Sequence, residues 1–455
     1  MAGIGFRLQA LVAKGSYLEI ATAYVSSAII SSGPWLSGVI ALVVLSGTTS
    51  TYLAPNARAF LLATIISVFA ASLLITGGPQ MVVTRYLADR LYLNDYASVA
   101  PTCTGVLFLM IPFSLLMIPF LLLAPFDITY RLLTATLFLT LTMIWMVMAF
   151  LSAAREYMRI VLIFSLCYAL GTGASVGLGH LYGLTGSLAG FALGQVMCLS
   201  LLLMSVYQEF PSTQSYSLAY LGNFRRYWDL LLIGALYPLG IWADSIIFWL
   251  SSEGQTIQGF YRLFPPYDTA KFVIYLSTIP AAAIFMISLE TDFHRHYQDY
   301  YRAIQNKGTL ADLVRAREGM IASVRSGMKL ILKVQGIIAL FLCLVARDLA
   351  ALVGIAPQWV SLLRIQTLAG TGQFFVFVMM LFLLYIDRRR ATLLAIGAFA
   401  ICNICLTLLS LSFEPAFYGL GYLGACIVGA GLGWLLLMSR LKKLEYLTFM
   451  EQPLG

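Results

Sequence analysis

The residues able to do chemistry in this chain are few, and the most telling are ionisable groups inside apolar stretches. Asp244 lies midway along one such stretch, in Trp242-Ala243-Asp244-Ser245. A charge at the centre of a membrane helix costs roughly 2.5–3.5 kcal/mol on insertion scales, so Asp244 must face an interface or a partner rather than lipid. Asp268 and Lys271, three apart in the next stretch, share a helix face and can neutralise each other or line a polar path. Arg364 sits near the start of a later stretch, where its head can snorkel outward. Gln80 and Arg85 join the candidates for a polar path, as does Gln373. Gln195, Gln366, Gln373 and Asn403 can line a cavity or bond neighbouring helices. Trp35, Tyr237, Trp242, Tyr261 and Tyr267 can stack on sugar rings, or belong to the core and to interfacial aromatic belts.

Motifs for covalent chemistry are missing. No Gly-rich phosphate cradle precedes a Lys-Ser/Thr, which excludes a built-in ATPase. His180, His294 and His296 pair with no Cys or Glu at a metal-ligand spacing. All seven cysteines fall within apolar stretches, so neither a disulfide framework nor a zinc site is expected. No loop is long enough to fold a nucleotide-sugar domain. The expectation is a non-enzyme with no cofactor and no metal, driven by an ion gradient or a partner.

The elements that must position these residues are membrane helices. Of 455 residues 60% are hydrophobic and 11% charged, with a mean hydropathy of +0.87. Soluble domains carry roughly 25% charged residues, so part of this surface must face lipid. Stretches of about 20 apolar residues, enough to cross a bilayer, recur about twelve times, near 21–45, 59–83, 102–124, 131–152, 160–179 and 186–206 in the first half. The second half offers 228–250, 267–289, 330–347, 361–386, 391–411 and 421–438. They are apolar on every face, unlike barrel strands. Most of the 28 basic residues fall in one set of loops, among them Arg85, Arg90, Arg155, Arg225, Arg226 and Arg388–Arg390. By the positive-inside rule that set is cytoplasmic, with both termini. The same bias explains the +8 charge without nucleic acid. No cleavable signal peptide is visible. Ile4, Leu8, Leu11 and Val12 mark an interfacial amphipathic segment at 1–20.

The halves repeat weakly, as in duplicated transporters. Gly33-Pro34-Trp35 in the first stretch answers Pro238-Leu239-Gly240-Ile241-Trp242 in the seventh. Tyr182-Gly183-Leu184 before the sixth answers Tyr418-Gly419-Leu420 before the twelfth. The expected fold is an all-α polytopic membrane protein of about twelve helices in two pseudo-symmetric six-helix lobes. An N-lobe at 21–207, a linker at 208–227, a C-lobe at 228–440 and a tail at 441–455 are expected. Pro34 and Pro238 serve as hinges. Gly186, Gly190 and Gly194, every four residues, let helix backbones approach closely.

The loop 290–329 is the one sizeable water-facing piece. It breaks at Lys307-Gly308-Thr309 and resumes as an amphipathic helix, with Thr309 and Asp312 spaced as a capping box. It reads either as a solvated hairpin or as a docking site presenting Glu290, Asp292, Tyr297, Tyr300 and Arg315.

Several segments resemble the Pel exopolysaccharide transporter family (PelG-like). They are Met1-Ala2-Gly3-Ile4-Gly5-Phe6, Ile30-Ser31-Ser32-Gly33-Pro34-Trp35, Thr84-Arg85-Tyr86-Leu87-Ala88-Asp89, Gly240-Ile241-Trp242-Ala243-Asp244, Pro266-Tyr267-Asp268, Leu289-Glu290-Thr291-Asp292-Phe293 and Gly308-Thr309-Leu310. The resemblance implies an inner-membrane protein of the polysaccharide transporter / MOP flippase superfamily. It would move Pel, an N-acetylhexosamine polymer, with a cytosolic glycosyltransferase and membrane partners, one sensing cyclic di-GMP. In that family the acid at 244 is often followed by Lys, where this chain has Ser245. If Asp244 works as an ion pair, its counter-ion must come from elsewhere. Two other readings stay open: an ion-coupled exporter of small molecules or lipid-linked oligosaccharides on the same fold, and a non-transporting scaffold for a synthase.

Overall fold

The structure, a computed structural model, describes residues 17–117, 119, 124–153 and 157–450. The expected interfacial segment lies outside the described residues up to Ser16, as do Arg155 and the last five residues. Eleven helices among the described residues are long and apolar enough to cross a membrane. One of them, Tyr157–Glu209, has 53 residues. At 1.5 Å per residue that is about 80 Å, over twice the ~30 Å hydrocarbon core. It is broken at Gly183, whose φ of 63° and ψ of −137° are non-helical. It therefore supplies two crossings, and the eleven helices make twelve.

Two expected spans differ in detail. The segment at 267–289 is two helices, Pro265–Ser277 and Ile279–Ser288. Pro280 has no N–H to continue the ladder, and the hydroxyls of Ser277 and Thr278 bond back to Ile274 O and Tyr275 O, both at 2.7 Å. The ninth span is continuous with the amphipathic helix expected after Thr309. One helix runs unbroken over Leu310–Leu344, because no proline interrupts it. It starts at the expected capping box: Thr309 Oγ1 accepts from Asp312 N at 3.3 Å, and Asp312 Oδ2 accepts from Thr309 N at 3.1 Å.

The chain forms two compact units. One comprises Gly33–Trp242 and Phe248–Phe264. Its core holds Phe60, Phe138, Phe164, Phe191 and Leu202, all buried. The helices Pro55–Tyr92 and Trp228–Leu250 meet backbone to backbone. Pro238 leaves the Gly234 carbonyl without its usual helical donor, and Gly77 presses against that carbonyl and the proline ring with no room for a Cβ. Gly171 and Gly194 touch in the same way across the Gly183 turn, and Gly190 lies on the backbone of Ala174 and Ser175. The segment after Glu209 is docked on the same unit: Tyr220, fully buried, donates to Gly105 O at 3.0 Å. Burial pushes its phenol up to about 12. A short hairpin, Gln255–Ile257 with Tyr261–Leu263, closes this unit.

The other unit comprises Met1–Ser32, Ala243–Ile247 and Pro265–Gly455. Its core gathers Phe285, Phe293, Phe382, Leu383 and Leu437. The helix Tyr17–Thr48 is tied to it where Ser27 Oγ donates to Ala283 O at 3.0 Å. The chain passes between the units inside helices, after Ser32 and around Trp242–Ala243, beside Pro34 and about one turn past Pro238. The two Tyr-Gly turns matched in the sequence both place a glycine at positive φ, though in different conformations: Gly183 at φ 63°, ψ −137° and Gly419 at φ 92°, ψ −15°.

Candidate functional site

Asp244 stands in the Trp228–Leu250 helix with none of its surface exposed. Its counter-ion is Lys271, from the Pro265–Ser277 helix. The ammonium bonds both carboxylate oxygens, at 2.7 and 2.8 Å, and lies 3.4 Å from Ser245 Oγ. Tyr267 donates its hydroxyl to Asp244 Oδ2 at 2.6 Å. Asn403, from the Arg389–Ser410 helix, donates its amide to Oδ1 at 3.3 Å, and its own oxygen accepts from Thr407 at 2.8 Å. The ring of Tyr422, from the Leu420–Lys442 helix, lies 4.4 Å from the Lys271 ammonium.

Each helix contributes side chains on one face. Tyr267 and Lys271 are i,i+4, as are Asn403 and Thr407. Tyr267, Asn403 and Tyr422 are fully buried, and Lys271 is 6% exposed. The cluster belongs wholly to the second unit described above. Its electrostatics follow from burial. Each charge alone would carry a large desolvation cost, whereas together they sum to zero and their hydrogen-bonding capacity is largely taken up within the protein. A charge-neutral, buried ion pair has two cheap states, paired or exchanged with a new partner for each charge. One stranded charge is costly.

Of the residues expected from sequence, Asp244, Lys271 and Tyr267 come together here. The sequence let Lys271 neutralise Asp268 or line a polar path; in the structure its ammonium holds the Asp244 carboxylate at 2.7 Å. Asp268 is half-buried. Ser245 Oγ lies 3.4 Å from the Lys271 ammonium. Gln373 is buried in the Val360–Tyr385 helix. Gln366 is buried in the same helix, and Arg364 donates to Cys343 O at 3.1 Å. The next candidates belong to the first unit. Gln80 donates to Trp145 O at 3.0 Å, and Trp145 donates to Ser72 Oγ at 3.0 Å. Arg85 pairs with Asp89 at 3.3 Å, and Asp89 accepts from the Tyr227 hydroxyl at 3.0 Å. Trp242 packs near Trp249, Tyr237 is half-buried, and Trp35 is 39% exposed. Tyr261 is buried among Phe60 and Phe260, which pushes its phenol up to about 12. Asn403 was recognisable as a polar residue within a span, but nothing local tied it or Tyr422 to Asp244.

The water-facing loop folds as the helix His294–Gln305 against the start of the Leu310–Leu344 helix. Asp292 is exposed, and Arg315 is 83% exposed beside Asp312. The Tyr297 ring meets Tyr301 at a tilt and Tyr385 edge-on, and burial raises its phenol. Tyr300 is fully buried and offers no surface to a partner. The side chain of Glu290 lies outside the described residues. Arg317 anchors the hairpin to the helix Leu444–Met450 through Glu445, at 3.0 Å.

The fold is that of MOP-superfamily transporters. A multidrug-resistance MATE family transporter in its outward-facing conformation aligns with a TM-score of 0.64 at 16% identity, over 93% of this chain and 96% of that one. A MOP superfamily transporter from Pyrococcus furiosus, described as having a binding pocket of reversed polarity, gives 0.62 at 13% identity, over 93% and 96%. An inward-facing MATE structure gives 0.60 at 14%, over 92% and 99%. No individually curated protein matches the chain. The sequence model of PelG, "Putative exopolysaccharide Exporter (EPS-E)", matches residues 1–449. With twelve candidate crossings among the described residues and a MOP fold, this multi-pass membrane protein belongs to the PelG family.

Proposed function

We propose that this protein carries an exopolysaccharide of the Pel type, an N-acetylhexosamine polymer, from cytoplasm to periplasm across the bacterial inner membrane. The observation that carries the proposal is the family match over nearly the whole chain, joined to a transporter fold. Both termini are cytoplasmic in this reading, by the placement of Lys and Arg. The polymer arrives from a cytosolic glycosyltransferase, which docks with its membrane subunits on the hairpin 290–329. One of those subunits senses cyclic di-GMP. Pro34 and Pro238 act as the hinges, and the exposed or half-buried Trp35, Tyr237 and Trp242 offer faces to sugar rings. Asp244 and Lys271 form a charge lock that holds one conformation of the cycle and must part in another.

A cation-coupled exporter needs a carboxylate open to the ion. Asp244 is closed by Lys271, Tyr267 and Asn403, which favours the lock over an ion site. The test is polymer export from cells carrying Asp244→Asn, with protein level and partner co-purification followed alongside. Lost export with the complex intact supports the lock. Normal export refutes it.

A further inference from the structure

The helix Leu310–Leu344 carries a feature that export does not absorb. Arg325, Lys329 and Lys333 recur every four residues, so they form a stripe on one face. All three are exposed, and among the described residues no carboxylate pairs with them. Arg325 and Lys329 rim a groove of about 610 Å³. Its walls are apolar: Leu332 from the same helix, Phe375 and Met379 from Val360–Tyr385, and Trp434 from Leu420–Lys442. Gly433 lets the last two helices meet under the groove, where Met379 occupies the space a Cβ would need.

The depth of the groove is set by the sequence of its helix. Beyond Lys333 the helix is almost wholly apolar, with Gln335 the one polar exception as far as Phe341, so the stripe of cations stands where water gives way to hydrocarbon. This is also the span least covered by protein. Only 17% of its most apolar window is buried, against 33% or more in each of the other ten. Among the described residues this chain leaves most of that apolar surface uncovered. We propose that the groove is a binding site for an anionic phospholipid, with the phosphate between Arg325 and Lys329 and an acyl chain along Leu332, Met379 and Trp434. The cations supply selectivity for a negative headgroup. The volume is in the range that buries a lipid-sized ligand segment.

The test uses the full-length protein in a neutral detergent, with lipid retention read by native mass spectrometry and by thermal shift. Phosphatidylglycerol is compared with phosphatidylcholine of the same chains, with soluble glycerol phosphate and with an isoprenyl diphosphate. The expected result is preferential retention of phosphatidylglycerol. It falls about 5-fold on losing one cation and about 30-fold in Arg325→Gln/Lys329→Gln. Lys442→Gln/Lys443→Gln, at another basic end, leaves it unchanged. If the double variant does not fold, Leu332→Trp fills the groove while keeping both charges, and should reduce retention to the same direction. Three results overturn the proposal: phosphatidylglycerol held no better than phosphatidylcholine, glycerol phosphate competing as well as the intact lipid, or unchanged retention in the variants. Displacement by the isoprenyl diphosphate at far lower concentration also overturns it, and reassigns the groove to a lipid-linked sugar carrier.

Discussion

Replacing Lys271 with Met separates two consequences of the buried pair. Removing one partner of such a pair costs about 3–5 kcal/mol, because the other charge is stranded. The stranded groups differ here. In Lys271→Met the carboxylate keeps two donors, Tyr267 and Asn403, which places the loss near ~3 kcal/mol. In Asp244→Asn the ammonium keeps a neutral amide, the Ser245 hydroxyl and the Tyr422 ring, which places the loss near ~5 kcal/mol. The double variant Asp244→Asn/Lys271→Met strands nothing, and a buried pair replaced as a unit is often neutral or stabilising. Its loss should stay within ~1 kcal/mol, giving a coupling energy well above the ~0.5 kcal/mol scatter of independent sites. The measurement is reversible unfolding of the four proteins in one detergent, assembled as a double-mutant cycle. Additive losses would refute the reasoning, since they would mean that the two charges do not depend on each other. Export adds the functional half. The double variant should be as abundant as the parent yet fail to export, and export at the parental level would reduce the pair to a structural device.

Three further outcomes follow from the geometry. Gly190→Ala should cost about 1–3 kcal/mol by overpacking against Ala174 and Ser175, whereas Gly173→Ala, mid-helix with open space around it, should raise the unfolding midpoint slightly, by about 0.5–1 kcal/mol of stability. Thr309→Val removes the capping box and should cost about 1 kcal/mol, seen as faster amide exchange confined to the first turn of the 310–344 helix. Arg315→Glu should weaken co-purification of cytosolic partners without changing stability, while Tyr300→Ala should lower stability by about 3–5 kcal/mol as a lost core aromatic. Equal effects of these two on co-purification at matched protein levels would refute the docking face.

The helices were legible because lipid demands about 20 apolar residues at a time, and a sequence cannot hide that. The break at Gly183 was legible too, because a glycine beside Tyr182 and Thr185 punctuates an apolar run. The cluster around Asp244 was legible in part. Asp244 and Asn403 stand out as polar residues at membrane depth, but Lys271 lay closer in sequence to Asp268, and spacing alone favoured that pairing. The i,i+4 relation of Tyr267 and Lys271 was the overlooked signal, since it puts a hydroxyl and an ammonium on one face with room for a carboxylate from elsewhere. Tyr422 arrives from a distant helix, and no local pattern announces it. The paired tyrosines of the loop show the same limit at small scale. Tyr300 is fully buried and Tyr301 is 37% exposed, a difference set by helical phase and by the helix packed above, neither visible in the dipeptide.

The unbroken Leu310–Leu344 helix has a mechanical meaning. Its 35 residues make a rod about 52 Å long, stiff over that length because each turn is bonded to the next. Its first turns stand among charged, water-facing residues and its last turns are apolar. A tilt imposed at Asp312 is delivered at Leu340 with little lost between them. A push on the solvated end thus becomes a displacement inside the bilayer, with no loop in the path to dissipate it.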